Sequence, residues 1–239
     1  MRFLIPERRF DPDVPEMMDL ANVDRTLLEE DLRNLRTINR FLGGLAAVRK
    51  HIGVFFDRIP VDREVHILDL ASGSADHPVG LVRFARSIGR RVRVTAVDCN
   101  PTMIAVARRL TAGFPEIHVR EGNILQIQGA LWEADIVLCS LALHHFSAQD
   151  AVGLLSTMDR LSRVGFIVND LNRHWIAAWC AWAYAHATSR NPLTLHDTYV
   201  SVLRAFTPVE LAAMAEQAHV QRFHIFHERM FRLILVGEH

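Results

Sequence analysis

The chain has 239 residues, of which 50% are hydrophobic and 23% charged, with 27 basic and 27 acidic side chains. This composition argues against a disordered chain, and the zero formal net charge argues against a nucleic-acid-binding protein. Three scattered cysteines without a CxxC spacing fit a reducing compartment, and no apolar stretch predicts a signal peptide or a membrane span. We therefore predict a cytoplasmic protein without nucleic-acid or membrane partners.

The first 60 residues predict an arm and a helical cap. Three prolines among residues 1–20 favour an extended arm that folds over the body of the protein. The apolar residues that follow recur with the helical period, and Thr26 and Glu29 have the spacing of a capping box. We expect two helices here, over residues 24–42 and 45–58.

Short apolar runs then alternate with helical stretches as far as residue 170. This alternation predicts right-handed βαβ units and a doubly wound, mostly parallel sheet. The strands are expected at about 65–70, 92–97, 117–119, 136–141 and 165–168, and the helices at about 78–88, 101–112 and 148–161.

The alternation stops at residues 171–206, which contain an aromatic-rich helical segment and then a polar loop. We interpret this segment as a lid insertion. Thr207 and Glu210 predict another capped helix, and two strands at about 220–226 and 230–236 predict a closing antiparallel hairpin. The predicted fold is thus Rossmann-like α/β, with residues 1–60 as arm and cap and residues 61–239 as the main domain.

The turn after the first strand is the most informative segment. Small residues in LDLASGSADHP allow the backbone to approach a ligand, and the sequence lacks the GxGxxG and GK[ST] patterns of dinucleotide and phosphate sites. Asp98 ends the second strand, where a carboxylate binds a ribose diol, and Asn123 follows the third strand. Together these residues predict a site for a nucleoside that carries an amino-acid-like tail.

The runs LDLASGSADHP, VDCNPTMIAVARR, EGN and ADIVLCSLALHHF, in this order, resemble the class I S-adenosylmethionine-dependent methyltransferases over residues 64–170. The resemblance implies that this cofactor is bound and leaves as S-adenosylhomocysteine. It places Asp69, Ala71, Ser72, Gly73 and Asp76 at the methionine end, Asp98, Cys99 and Met103 around the ribose and adenine, Asn123 and Ile124 at the adenine edge, and Ser140 and Leu141 beneath the sulfonium.

Two residues depart from the family pattern. Ala71 replaces the first glycine of the turn, which we expect to require a negative φ, and Asn123 replaces an acidic residue. The flanking runs PEMMD, NLRTINRFLGG, VNDLNRHW and HDTYVSVLRAFTPVEL resemble a bacterial methyltransferase subgroup that we associate with polyketide or phenolic secondary metabolism.

His144 and His145 follow the fourth strand, and each either packs at a helix start or faces the site. A neutral imidazole can accept a proton from a hydroxyl group, and we predict His145 as this base and His144 as a substrate contact. Trp175, Trp179 and Trp182 share one helix face, which either packs in the core or walls an aromatic substrate.

The remaining candidates each have a structural alternative, such as a solvated helix end. They are Arg40, which could clamp the cofactor carboxylate, and Asn169, Asp170, His196 and Arg204, which we predict to contact the substrate or position the lid.

These features predict methyl transfer to a small molecule, at a hydroxyl group of a phenolic or polyketide-like acceptor. The sequence contains no HExxH or similar metal-ligand spacing, so we predict no metal. Two other functions stay open: an NAD(P)-dependent oxidoreductase, which the missing GxGxxG disfavours, and a non-catalytic cofactor-binding or scaffold protein.

Overall fold

The computed structural model describes residues 5–20, 22–41 and 43–239, apart from the side chains of Arg40 and Phe41. Seven strands form one sheet in the order β3-β2-β1-β4-β5-β7-β6, in which β1 to β5 are parallel and β7 is antiparallel to both of its neighbours. The strands are β1 (Val65–Leu70), β2 (Val92–Asp98), β3 (Ile117–Glu121), β4 (Ala134–Ser140), β5 (Ser162–Leu171), β6 (Phe223–Glu228) and β7 (Arg232–Glu238). The predicted fold class is confirmed.

Helices cover both faces of the sheet, which is why the central strands are apolar at successive positions. Ile67 of β1 packs in the cluster with α2 and α3, whereas its neighbour Leu68 packs in the cluster with α5 and α8. The helices are α1 (Arg25–Phe41), α2 (Gly44–Asp57), α3 (Asp76–Ser87), α4 (Pro101–Thr111), α5 (Ala148–Leu161), α6 (Trp175–Thr188), α7 (Pro192–Arg204) and α8 (Pro208–Gln217). Within the described ranges, no helix has the length and hydropathy needed to cross a membrane.

Two local predictions were wrong. The polar loop predicted after the aromatic helix is helix α7, which begins with Asn191 as its cap and Pro192 in its first turn. Asn191 Oδ1 accepts the backbone N–H of Leu193 at 2.9 Å, which satisfies a donor at the helix start. Helix α1 is capped by Asp24, whose Oδ1 accepts the backbone N–H of Thr26 at 2.8 Å, and not by Thr26 itself.

The arm of residues 5–20 crosses the carboxyl edge of the sheet and is fixed there by hydrogen bonds. The Arg8 guanidinium donates to the carbonyl oxygens of Arg204 at 2.6 Å and Phe146 at 2.7 Å. Both backbone N–H groups of Met17 and Met18 donate to the buried Asp197 carboxylate, each at 2.9 Å. The arm therefore connects the loop after β4 to helix α7.

A close approach between β5 and β7 requires a residue without a side chain at position 165. A Cβ atom on Gly165 would overlap the carbonyl oxygen of Gly237 and lie 2.6 Å from Cζ of the buried Phe55. We expect Gly165→Ala to lower the free energy of unfolding by about 1–3 kcal/mol, because neither group has room to move. Urea unfolding measures this effect. Gly113→Ala is the matched control, because a Cβ atom there would contact nothing within 4 Å; equal stability losses would contradict the prediction.

Candidate functional site

The turn between β1 and α3 lies at the carboxyl edge of the sheet. The backbone N–H of Ser72 donates to the carbonyl oxygen of Val97 at 2.9 Å, which fixes the turn against β2. Ala71, Gly73 and Ala75 have φ values of 53°, 53° and 62°. The expectation of a negative φ at Ala71 was therefore wrong. This left-handed conformation costs a residue with a Cβ about 1–2 kcal/mol, so the turn holds local strain at the site.

Asp98 supports this turn from the end of β2. Its carboxylate accepts the backbone N–H of Gly73 at 2.8 Å and that of Asn100 at 2.9 Å, and burial raises its pKa. Asp69 lies deeper, 1% exposed, and burial together with the nearby charge of Asp98 raises its pKa well above the ordinary value. Asp69 thus lies beneath the turn and not on the cavity wall where we expected it.

A cavity of about 320 Å³ opens above the turn, between α1, α6, α7 and the β6–β7 hairpin. The small side chains of Ala177 and Ala181 and the Tyr184 ring form its α6 wall. Nine of the predicted residues line it: Ala71, Ser72, Gly73, Asp76, Met103, Ser140, Leu141, His144 and His145. The structure therefore brings the turn after β1 and the histidine pair to one cavity.

Arg232 places a buried positive charge in this cavity that the sequence did not predict. Its Nη2 donates to Asn39 Oδ1 at 2.9 Å, and burial lowers its pKa to about 10. Among the described residues, its Nε and Nη1 have no hydrogen-bond partner, and neither does Nε2 of the adjacent His77. Such unpaired donors are costly unless a ligand accepts from them. The Arg40 side chain, our predicted carboxylate clamp, lies outside the described residues.

His144 is held by Asp170, the residue near the end of β5. The backbone N–H of His144 donates to Asp170 Oδ2 at 2.9 Å, and its Nδ1–H donates to Oδ1 at 2.6 Å. Burial alone would raise the pKa of Asp170, but the charge and hydrogen bonds of His144 lower it. The ionised carboxylate orients the ring through Nδ1, while Nε2 lies 3.8 Å from the buried Glu16 Oε1 and makes no hydrogen bond to any described residue. A ring held in this way by a carboxylate is the arrangement of an oriented general base.

His145 has a different environment. Its Nδ1–H donates to Asp19 Oδ2 at 2.8 Å, and Nε2 lies 3.9 Å from the Glu16 carboxylate. Burial would lower its pKa, but the hydrogen bond to Asp19 and the negative charges of Glu16, Asp19 and Asp170 raise it to about 9. His145 therefore carries a proton at neutral pH and is poorly suited to the base role that we predicted for it.

This proton should make stability depend on pH. Because the folded pKa of about 9 lies above the unfolded value of ~6.5, the stabilisation is complete below pH ~6.5 and disappears as the pH rises through 9. We expect urea unfolding to show a loss of at most ~3 kcal/mol across this window. His145→Gln should remove the slope, and the exposed His196→Gln should keep it. An unchanged slope in His145→Gln would contradict the assignment.

Three potential metal-ligating atoms lie within 4.8 Å of one another, one each from Glu16, His144 and His145. We predicted no metal, but these three side chains could bind a divalent cation. Positive charge is already present, because Arg204 Nη1 lies 3.7 Å from Glu16 Oε1 and His145 is protonated. We therefore treat the cluster as an ion-pair network, and the chelation experiment described below tests this choice.

Other predicted residues serve the fold or face away from the cavity. Cys99 is exposed, Asn123 caps a short turn by accepting the Leu125 N–H, and Ile124 packs in the core. Asn169 is fully buried and donates to Ser140 Oγ at 3.4 Å.

The predicted substrate contacts from the lid do not line the cavity. Trp175 packs against α7, Trp179 is exposed, and His196 is exposed beside Asp197. Arg204 is buried but donates to the arm carbonyls of Asp11 and Val14. Helix α6 faces the cavity with Ala177 and Ala181. Of the two environments that we considered for the tryptophans, core packing holds for Trp175 alone, since Trp179 and Trp182 are exposed.

Comparisons with known proteins agree with this geometry. Residues 67–165 match a family model described as a methyltransferase domain, and no curated protein matches the sequence. The match confirms the predicted resemblance to class I enzymes that use S-adenosylmethionine as methyl donor.

Solved structures share the fold. The CMeT domain of the citrinin polyketide synthase superposes with a TM-score of 0.62 at 11% identity, over 81% of this chain and 52% of that one. The CurJ carbon methyltransferase superposes with a TM-score of 0.65 at 10% identity, over 90% of this chain and 61% of that one. The plantazolicin methyltransferase BpumL, in complex with S-adenosylhomocysteine, superposes with a TM-score of 0.65 at 13% identity, over 90% of this chain and 89% of that one. The chain thus spans between half and two thirds of the length of the citrinin and CurJ proteins.

Proposed function

We propose that the chain uses its S-adenosylmethionine-dependent methyltransferase domain to methylate a hydroxyl group of a small phenolic or polyketide-like acceptor. The observation that supports this most directly is the hydrogen bond between Asp170 and His144, since His144 lines the same cavity as the turn after β1. The cofactor supplies an activated methyl group, and the protein must align the acceptor oxygen with it and remove the proton.

The residues that line the cavity, together with Asp98 behind the turn, fit the cofactor. The Asp98 carboxylate would hold the ribose, and the turn from Ala71 to Ala75 would approach the methionine portion. The unpartnered nitrogens of Arg232 and the Ser72 hydroxyl, which also has no partner within the described ranges, suit a carboxylate and its neighbours. His144 Nε2 would accept the acceptor proton while Asp170 keeps the ring oriented.

Replacing Arg232 tests the cofactor clamp. We expect Arg232→Met to weaken S-adenosylhomocysteine binding about 10–100-fold, since a charge-assisted pair contributes about 1.5–3 kcal/mol. Isothermal titration calorimetry measures this change. Arg190→Met, at an exposed position before α7, is the control. Equal affinities for both variants would mean that Arg232 has another role.

The function itself is tested by methyl transfer. Purified protein with radiolabelled S-adenosylmethionine should label members of a panel of phenols and polyketide-like hydroxyl compounds, and not matched amines. S-adenosylhomocysteine, but not NADH, should raise the melting temperature. Binding without transfer to any panel member would favour the non-catalytic alternative.

One comparison favours carbon as the acceptor atom. The CurJ structure is that of a carbon methyltransferase, and an oriented base also serves to deprotonate an activated carbon. Nuclear magnetic resonance of the methylated product separates the two, because an oxygen-bound methyl group and a carbon-bound methyl group have distinct carbon shifts.

A further inference from the structure

Helix α6 presents an apolar surface to solvent on the side away from the cavity. Trp179 is 63% exposed, Ile176 48% and Trp182 41%, and none of the three lines the cavity. Solvent-exposed helices of globular proteins normally carry charged residues on this side, but α6 has no Asp, Glu, Lys or Arg between Trp175 and Thr188. We call Ile176, Trp179 and Trp182 the α6 aromatic face.

Two exposed arginines lie close in sequence to this face or to the neighbouring hairpin. Arg190 follows α6, and Arg229 precedes Met230; both are exposed. Across residues 172–206 the only acidic residue is Asp197, which is buried and accepts hydrogen bonds from the arm. The exposed Glu30 of α1 accepts a hydrogen bond from Asn191 at 3.2 Å, so one carboxylate lies beside Arg190, but the segment that carries the face has no exposed carboxylate of its own. An aromatic surface with arginines beside it complements an anionic lipid surface.

The position of the face also connects it to the site. Ala177, Ala181 and Tyr184 of the same helix line the cavity, so α6 separates the aromatic face from the chamber by one helix diameter. Tryptophan rings prefer the boundary between lipid and water, because the ring is apolar and its N–H is polar. A helix lying on a bilayer in this way would hold the chamber beside the lipid.

From these observations we propose that the α6 aromatic face docks the protein onto an anionic lipid surface. The helix lies on the bilayer with Trp179 and Trp182 in the headgroup region, and Arg190 and Arg229 face the phosphates. Where the function proposed above holds, this arrangement would let an acceptor dissolved in lipid reach the cavity without crossing water. The docking itself does not depend on that function.

Co-sedimentation of the full chain with vesicles tests docking without reference to activity. We expect binding to phosphatidylcholine vesicles that contain phosphatidylglycerol, weaker binding to phosphatidylcholine alone, and release by salt. The W179S/W182S double variant should bind at least ~10-fold more weakly. Neither tryptophan lines the cavity, so retained S-adenosylhomocysteine binding and an unchanged melting temperature show that this variant is folded.

The matched control is L131S/V209S, which removes apolar side chains that are 88% and 78% exposed outside the face. This control should bind vesicles like the wild-type chain. The proposal is overturned if the wild type does not bind, or if both double variants bind equally. It is also overturned if analytical ultracentrifugation shows a wild-type dimer that W179S/W182S dissociates, because the face would then belong to a second copy.

Discussion

His144→Gln is expected to lower kcat by about 10²–10⁴-fold, the range for loss of a general base, while the affinity for S-adenosylhomocysteine stays unchanged. The physical reason is that Nε2 of His144 is the nitrogen left free by the 2.6 Å contact between Nδ1 and Asp170. Asp170→Asn should also lower kcat, because an amide no longer fixes the ring tautomer by its charge.

His196→Gln is the control, since His196 is exposed and lies outside the cavity wall. Full turnover by the His144→Gln variant would show that His144 is not the general base. Treatment with a chelator should leave the wild-type rate unchanged. Loss of the rate on chelation and recovery on adding a divalent cation would instead assign Glu16, His144 and His145 to a metal.

Asp98→Asn is expected to weaken S-adenosylhomocysteine binding by ~100-fold or more. Two hydrogen bonds from ribose hydroxyls to a charged acceptor contribute at least ~3 kcal/mol, and each 1.4 kcal/mol is about tenfold. Asp98 also accepts the Gly73 N–H, so the variant loosens the turn that contacts the cofactor.

Glu121→Gln provides the matched control, because Glu121 is the register partner of Asp98 on β3 and is exposed. Calorimetry with both variants separates a local effect from a general change of charge at this edge. Equal affinity of Asp98→Asn and the wild type would contradict the cofactor placement, whatever the acceptor proves to be.

The sheet was predictable because its signals are local. Buried parallel strands form continuous apolar runs, and each ends near a polar residue such as Asp98. Helix α7 was missed although it begins with Asn191-Pro192, the same cap and first-turn proline that begin α4 at Asn100-Pro101 in the structure. We predicted a loop because the segment is polar, and we gave too little weight to its helix-start signal.

The site was only partly predictable because several of its charges come from distant segments. Arg232 lies on the last strand, and Glu16 lies in the arm, yet both line the cavity with the turn after β1. Periodicity shows which residues share a helix face, but neighbouring elements decide which face is buried. For this reason the Trp179 side and the choice between His144 and His145 required the tertiary structure.

The arm sets a condition for folding. The carbonyl groups that Arg8 binds belong to residues 146 and 204, a separation of as many as 196 positions. Closing a loop of this length costs chain entropy, which the two hydrogen bonds must offset together with the contacts of Met17 and Met18. The arm therefore reaches its final position only when the loop after β4 and helix α7 are already side by side. Local unfolding of α7 would release the arm from the histidine pair without disturbing the strands of the sheet.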